Sequence, residues 1–155
     1  MIKIVSLLEF FAAGREIEKK DIIRNKYIYN AYKKGLNNYR ILTIGDIVKN
    51  RWDKSDVPGY ILNFIQNHGE VILIANVVLK KVTQIQIRSI EEKNFYVWGK
   101  QASIPYGLGM MEKDFQYGDW VILTEGPSDR DAMIEYYPNT LAILTDGISL
   151  VQKNF

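Results

Sequence analysis

The residues best equipped for chemistry in this 155-residue chain lie in Val121–Met133, VILTEGPSDRDAM. An apolar run ends on Glu125 and Gly126, and Asp129 follows about one helical turn later. A buried strand that stops at an acid presents its carboxylate at the edge of a sheet. A second acid in the first turn of the following helix sits near the positive end of the helix dipole. Two hard oxygen donors so placed suit magnesium or manganese. Gly126 reads as a turn glycine that lets the chain bend sharply and a substrate approach. The same residues also have a plain reading: a strand-end acid, a turn glycine, and a helix that starts at Ser128 as N-cap with Asp129 and Asp131 in its first turn.

The rest of the composition narrows the chemistry. There is no cysteine and one histidine, His68. That excludes disulfides, thiolate zinc sites and histidine-built metal sites, and leaves carboxylates as the metal-binding side chains. The absence of cysteine fits a cytoplasmic setting. His68 precedes Gly69 at a helix end, where a cation favours the last carbonyls. The net charge is only +2, too small to argue for nucleic acid alone. Its distribution says more: residues 15–54 interleave Lys and Arg with Tyr and Trp, a mixture suited to a phosphate backbone with stacked bases. The competing reading is a solvated helix face whose tyrosines pack on the core. Arg88, Lys93 and, more weakly, Lys100 are further cations on strand or turn segments. Trp98 and Tyr106 fit a core or a stacking platform equally.

These groups need elements to position them. Hydrophobic residues are 47% and charged residues 25% of the chain, an ordinary globular composition. No apolar run reaches the ~18 residues of a membrane span, and the N-terminus reads as an amphipathic helix rather than a signal peptide. Residues 5–13 and 16–34 are predicted helices, TIGDIV a turn into a short helix, and DVPGYILNFIQNHG a helix from the Pro58-Gly59 turn to Gly69. EVILIANVVL then reads as a strand, VTQIQIRSI as a half-exposed alternating strand and FYVWG as a third. SIPYGLGMM is a Pro/Gly-rich connection. Strand 119–124, helix 128–137 and strand 140–145 follow, then a Gly turn and the start of another helix. Two apolar runs joined by a helix predict parallel strands. The fold class is therefore α+β, with a helical region over 1–69, a small mixed or antiparallel sheet over 70–115, and the beginning of an α/β unit over 116–155.

Taken together, VILTEGPSDRDAM and LAILTDGISLVQ resemble the first half of a Toprim domain, the catalytic fold shared by bacterial and phage primases, topoisomerases and related nucleases. The matching parts are Glu125, Gly126, Asp129, the helix to Tyr137, the strand 140–145, and Gly147 with Ser149. Upstream, IQIRSIEEKNFYVWGKQASIPYGLGMM resembles the segment before Toprim in primases, through Arg88, Lys93, Phe95 and Pro105-Tyr106-Gly107-Leu108. The resemblance spans roughly residues 70–155; residues 1–69 carry none.

The resemblance implies a phage-type DNA primase: metal-dependent synthesis of short RNA primers from nucleoside triphosphates on a single-stranded DNA template during replication, in the cytoplasm of a bacterial or phage-infected cell. It implies Glu125 as metal ligand or general base, Asp129 as an assisting ligand for Mg2+ or Mn2+, and Arg88, Lys93 and Lys100 as contacts to phosphates of template or nucleotide. Gly126 and Gly147 would be structural turns. In the family a third strand ending in Asp-x-Asp completes the metal site, and these 155 residues do not contain it. The expectation is little or no activity from this chain alone, with the missing acids supplied downstream or by a C-terminal Toprim partner. The zinc-binding domain of bacterial primases is absent, and Asp146 stands where primases carry a small residue. A non-catalytic, primase-like module that holds single-stranded DNA or a replicative helicase, or blocks a host enzyme, is the alternative. A Toprim nuclease of another branch is a third reading, opposed by the upstream segment.

Overall fold

The computed structural model describes residues 5–78, 80–99, 106–107, 121–137 and 139–143. It is a mixed α+β chain with a five-stranded antiparallel sheet and a two-stranded parallel one. Two compact units are present: residues 1–75 with 84–99, and residues 76–83 with 100–155.

The first unit opens with α1 (Leu7–Ala13), capped by Ser6, whose hydroxyl accepts from the Glu9 amide. The helix predicted over 16–34 is broken into three pieces: β1 (Arg15–Glu16), one 3-10 turn (Lys19–Asp21) and α2 (Lys26–Lys33). The break has a local electrostatic cause. The buried Asp21 carboxylate accepts two 2.7 Å hydrogen bonds from Arg15 and one from the Glu18 amide, which ties the turn back onto β1 rather than letting the helix run on. Asn25 restarts the helix, its side chain accepting from the Tyr27 amide. Next come β2 (Tyr39–Thr43), a strand absent from the sequence reading, then α3 (Ile44–Lys49) and α4 (Gly59–His68). α3 carries a reciprocal cap between Thr43 and Asp46. α4 stops, as predicted, at Gly69, whose φ of +73° is strained for any side chain.

The strands β3 (Glu70–Val78), β4 (Lys81–Ser89) and β5 (Phe95–Gly99) complete a sheet in the order β1-β2-β3-β4-β5. Val71 to Ala75 are buried at every position, so both faces of β3 are covered. β4 differs from the expectation of a half-exposed strand. Gln84, Ile85, Gln86 and Ile87 are all buried, because β4 is an interior strand covered on both sides and its alternation does not mark a solvent face. The core of the unit is apolar: Phe10, Ile28, Ile41, Leu42, Ile61, Ile65, Ile72, Leu73 and Ile85 are almost fully inaccessible. Each such side chain contributes about 1.5–3 kcal/mol of transfer free energy.

In the second unit, β6 (Ile122–Thr124), α5 (Pro127–Met133) and β7 (Thr140–Ala142) form a strand–helix–strand crossover with parallel pairing, Ile122 opposite Thr140 and Thr124 opposite Ala142. The predicted parallel arrangement is thus present. α5 is shorter than predicted and begins one residue earlier. Gly126, not Ser128, is the N-cap, and Pro127 occupies the first turn, where its missing N–H costs nothing. Ser128 is instead buried, and its hydroxyl has no hydrogen-bond partner among the described residues. No helix among the described residues is long and apolar enough to cross a membrane.

Candidate functional site

Because β6 and β7 run parallel, the segments leaving their carboxyl ends emerge on one edge. Glu125 is the first residue after β6 and is exposed there. Thr124 holds the turn beneath it, its hydroxyl lying 3.1 Å from the Gly126 carbonyl and 3.4 Å from the Leu141 carbonyl. Asp129, also exposed, reaches back toward the strand end. Its Oδ2 lies 3.8 Å from where a Cβ on Gly126 would stand. Gly126 itself has φ −115° and ψ 155°, an extended backbone that any residue adopts. The bend therefore does not require glycine. What the missing side chain provides is open space in front of the Asp129 carboxylate.

Glu125 and Asp129 thus stand near one strand end and present hard oxygen donors, which suit a magnesium- or manganese-type ion in kind. In number they are a partial set. Among the described residues no group of three or more His, Cys, Asp or Glu could hold a metal ion.

Behind these acids lies a polar cluster that sequence reasoning missed. Charges on a short helix are ordinarily solvated, but Arg130 and Asp131 are 4% and 0% exposed. The Arg130 Nε donates to the Thr140 carbonyl at 2.8 Å and one terminal nitrogen donates to Asp131 at 3.0 Å. The Tyr106 hydroxyl donates to the other Asp131 oxygen at 2.7 Å. Tyr106 also exchanges two main-chain hydrogen bonds with Ala142 on β7. Gly107 is required here: its φ is +100°, and a Cβ would fall 2.5 Å from Arg130 Nε. The Tyr106-Gly107 pair therefore locks α5 against β7 and fixes the helix that carries Asp129. The one signal in the sequence was an aromatic-glycine pair upstream of an adjacent Arg-Asp. Tyr106 is core rather than a stacking platform.

The basic candidates lie elsewhere. Arg88, on β4 opposite Phe95, packs its guanidinium 4.3 Å from the centre of the Tyr27 ring. Asn25 fixes this contact by capping α2 while donating to the Ile90 carbonyl at 2.7 Å. Lys93 is exposed in the turn between β4 and β5, next to Glu91 and Glu92. No described contact joins it to Arg88. Lys100, Pro105, Leu108, Asp146, Gly147 and Ser149 lie outside the described residues. Trp98 packs edge-on against Phe10 with centroids 4.9 Å apart. His68 ends α4 with its ring 4.4 Å from that of Phe64.

A shallow cleft of about 60 Å³ is lined by Arg24, His68, Glu70 and the turn Ser89–Glu92. Its cation is already committed: Arg24 forms a two-pronged ion pair with Glu70 and also approaches Asp21. The hydrogen-bonded Arg24 holds the Glu70 carboxyl below its ordinary value, and Arg15 holds Asp21 down to about 2. This is the electrostatics of a structural ion-pair network.

Compared with protein-family models, with curated proteins and with solved structures, the chain matches none.

Proposed function

We propose that the second unit is the acid-bearing opening of a Toprim-type nucleotidyl-transfer site, and that the chain acts in phage-type primer synthesis on single-stranded DNA. The observation that carries the reading is the exposed Glu125 at the carboxyl end of β6, with the parallel crossover behind it and Asp129 returning toward Gly126. A divalent cation bound there would polarise phosphoryl oxygen and lower the pKa of the attacking hydroxyl. The chain's own residues do the positioning. Thr124 fixes the turn that presents Glu125, Asp129 supplies a second oxygen donor, and Tyr106, Arg130 and Asp131 fix the helix. The open face at Gly126 admits a phosphate to the acids.

The partial donor set supports a second reading, a non-catalytic module of the same fold that binds nucleic acid or a replication protein. Mn2+ titration followed by electron paramagnetic resonance, run beside incorporation of labelled ribonucleotides on single-stranded DNA, separates them. The primase reading expects Mn2+ binding that Glu125→Gln and Asp129→Asn weaken at least tenfold. It also expects primer synthesis that Glu125→Gln abolishes once downstream sequence or a partner supplies the remaining acids. Mn2+ binding and synthesis indifferent to both substitutions would overturn the assignment. Metal binding without synthesis under any supplementation would favour the module.

A further inference from the structure

We propose that the outer face of α2, together with Arg88, is a binding surface for single-stranded nucleic acid. The surface lies in the first unit, with α2 in the region that carries no Toprim resemblance and Arg88 alone from the segment that does, and it stands whether or not the second unit binds metal.

Its first feature is uncompensated positive charge. Residues 22–45 contain no Asp or Glu; of the cations within them, Arg24 and Arg40 pair with Glu70 and Glu16 outside the segment, and Lys26 and Lys33 lie on α2 itself. α2 has no acid in its first turn, where acids are favoured. Among the described residues, Lys26, Lys33 and Arg88 form no ion pair. Lys26 lies 5.1 Å and Arg88 4.3 Å from the same Tyr27 ring centroid, so one ring holds two cations that repel each other. An anion between or beside them offsets that repulsion. Arg88 adds a second sign: its Nε is shut off from water and has no acceptor among the described residues. Its guanidinium is held in place by ring packing, and its hydrogen-bonding capacity is not spent on described protein groups.

The second feature is aromatic. Ile28 and Ala31 face the core. Lys26, Tyr29 and Lys33, at i, i+3 and i+7, share the opposite stripe, and Tyr32 lies beside it. Tyr29 and Tyr32 are 47% and 44% exposed, and Lys33 sits 5.9 Å from the Tyr29 ring. The stripe is cation–aromatic–cation along a helix about 12 Å long. A folded core does not need two half-exposed tyrosines on that face. A strand of phosphates and unpaired bases uses both kinds of group, the cations for phosphate and the rings for stacking.

The test is fluorescence anisotropy with a labelled oligothymidylate 12-mer and full-length chain, in EDTA, over 50–200 mM salt. Wild type should bind, with a log–log salt slope near −2 if about three phosphates are contacted. Tyr29→Ala with Tyr32→Ala should weaken binding at least tenfold while leaving the slope unchanged. Lys26→Gln with Lys33→Gln should weaken it and flatten the slope by about 1.4. Both pairs are surface changes, and an unchanged unfolding midpoint confirms intact fold. EDTA removes divalent cations from the assay, which keeps this result separate from any failure of the metal site. No binding by wild type, or affinity untouched by both pairs, overturns the proposal. Loss with the lysine pair alone, matched by equal affinity for anionic vesicles or heparin, also overturns it in favour of a general anionic patch.

Discussion

Among the described residues, the two units differ in what they bury. Of the largest fully buried side chains, Phe10, Ile28, Tyr39, Ile41, Leu42, Ile61, Ile65, Ile72, Leu73, Ile74 and Ile85 belong to the first unit and Tyr106 to the second. Among its described residues the second unit buries Arg130, Asp131, Ser128 and Thr140 beside Leu141 and Ala142. Apolar burial is non-directional and sums gradually, so it tolerates reshaping. A buried ion pair with shared hydrogen bonds is directional: complete, it fixes one geometry, and with one member removed it strands a charge. The candidate acids sit on the directional unit, where a helix must be held at one angle to a strand end. The broad basic-aromatic face sits on the apolar one, where a rigid platform suffices.

The comparison breaks most visibly at Arg130. Arg130→Ala removes the cation that pairs with the fully buried Asp131, and the expected loss is about 3–5 kcal/mol. Hydrogen exchange should show that loss in amides of β6, α5 and β7, with β3 and β4 residues of the first unit retaining protection. Protection lost evenly across the chain would mean that the two units do not differ in the way argued. The apolar counterpart is Ile72→Ala, expected to cost about 2–4 kcal/mol, with Ile72→Val near 1. That series should scale with volume removed. A conservative change in the polar cluster, Asp131→Asn, should not be mild in the same way, since it removes the charge that Arg130 neutralises.

The same contrast explains what could be read in the sequence. Gly69 as a helix stop, the Thr43 start of α3 and the runs of β3 and β5 were legible because each is set by local propensity or an unbroken apolar run. The parallel pairing of β6 and β7 followed from two apolar runs around a helix. β2 was not legible: Tyr39–Thr43 is five residues long and becomes a strand by pairing with Glu70–Ile74, contacts far off in sequence. The split of the 16–34 helix depended on Arg15 reaching Asp21, and the burial of Gln84 and Gln86 on an interior place in the sheet. Of the candidate site, Glu125 and Asp129 were legible from strand and helix boundaries. The Tyr106–Asp131–Arg130 cluster was not, because its members read singly as a connection residue and two surface charges.

The ion pair of the first unit offers a third, milder probe. Arg15, hydrogen-bonded to Asp21, lowers that carboxyl from 3.8 to about 2. A carboxyl depressed in the folded state stabilises it above the unfolded pKa, and the contribution disappears as pH falls through the folded value. Asp21 should therefore add about 2 kcal/mol above pH ~4 and lose it between pH ~4 and ~2. Urea unfolding across that range should steepen with acid for wild type and flatten for Asp21→Asn. An equal acid response in the variant would assign the transition to other groups.

The smallest expected effect is the most diagnostic for the acids. Gly126→Ala asks for no backbone change, since φ −115° suits alanine, and its Cβ would meet Asp129 only at 3.8 Å. Stability should stay within about 0.5 kcal/mol of wild type or rise slightly through reduced unfolded-state entropy. Mn2+ affinity should nonetheless fall, because the methyl group occupies the open approach to the Asp129 carboxylate. A fall in affinity without a fall in stability separates access from folding and makes the glycine part of the site. If both quantities hold, the glycine is only the residue that happens to follow a strand, and Glu125 must bind without help from the helix start.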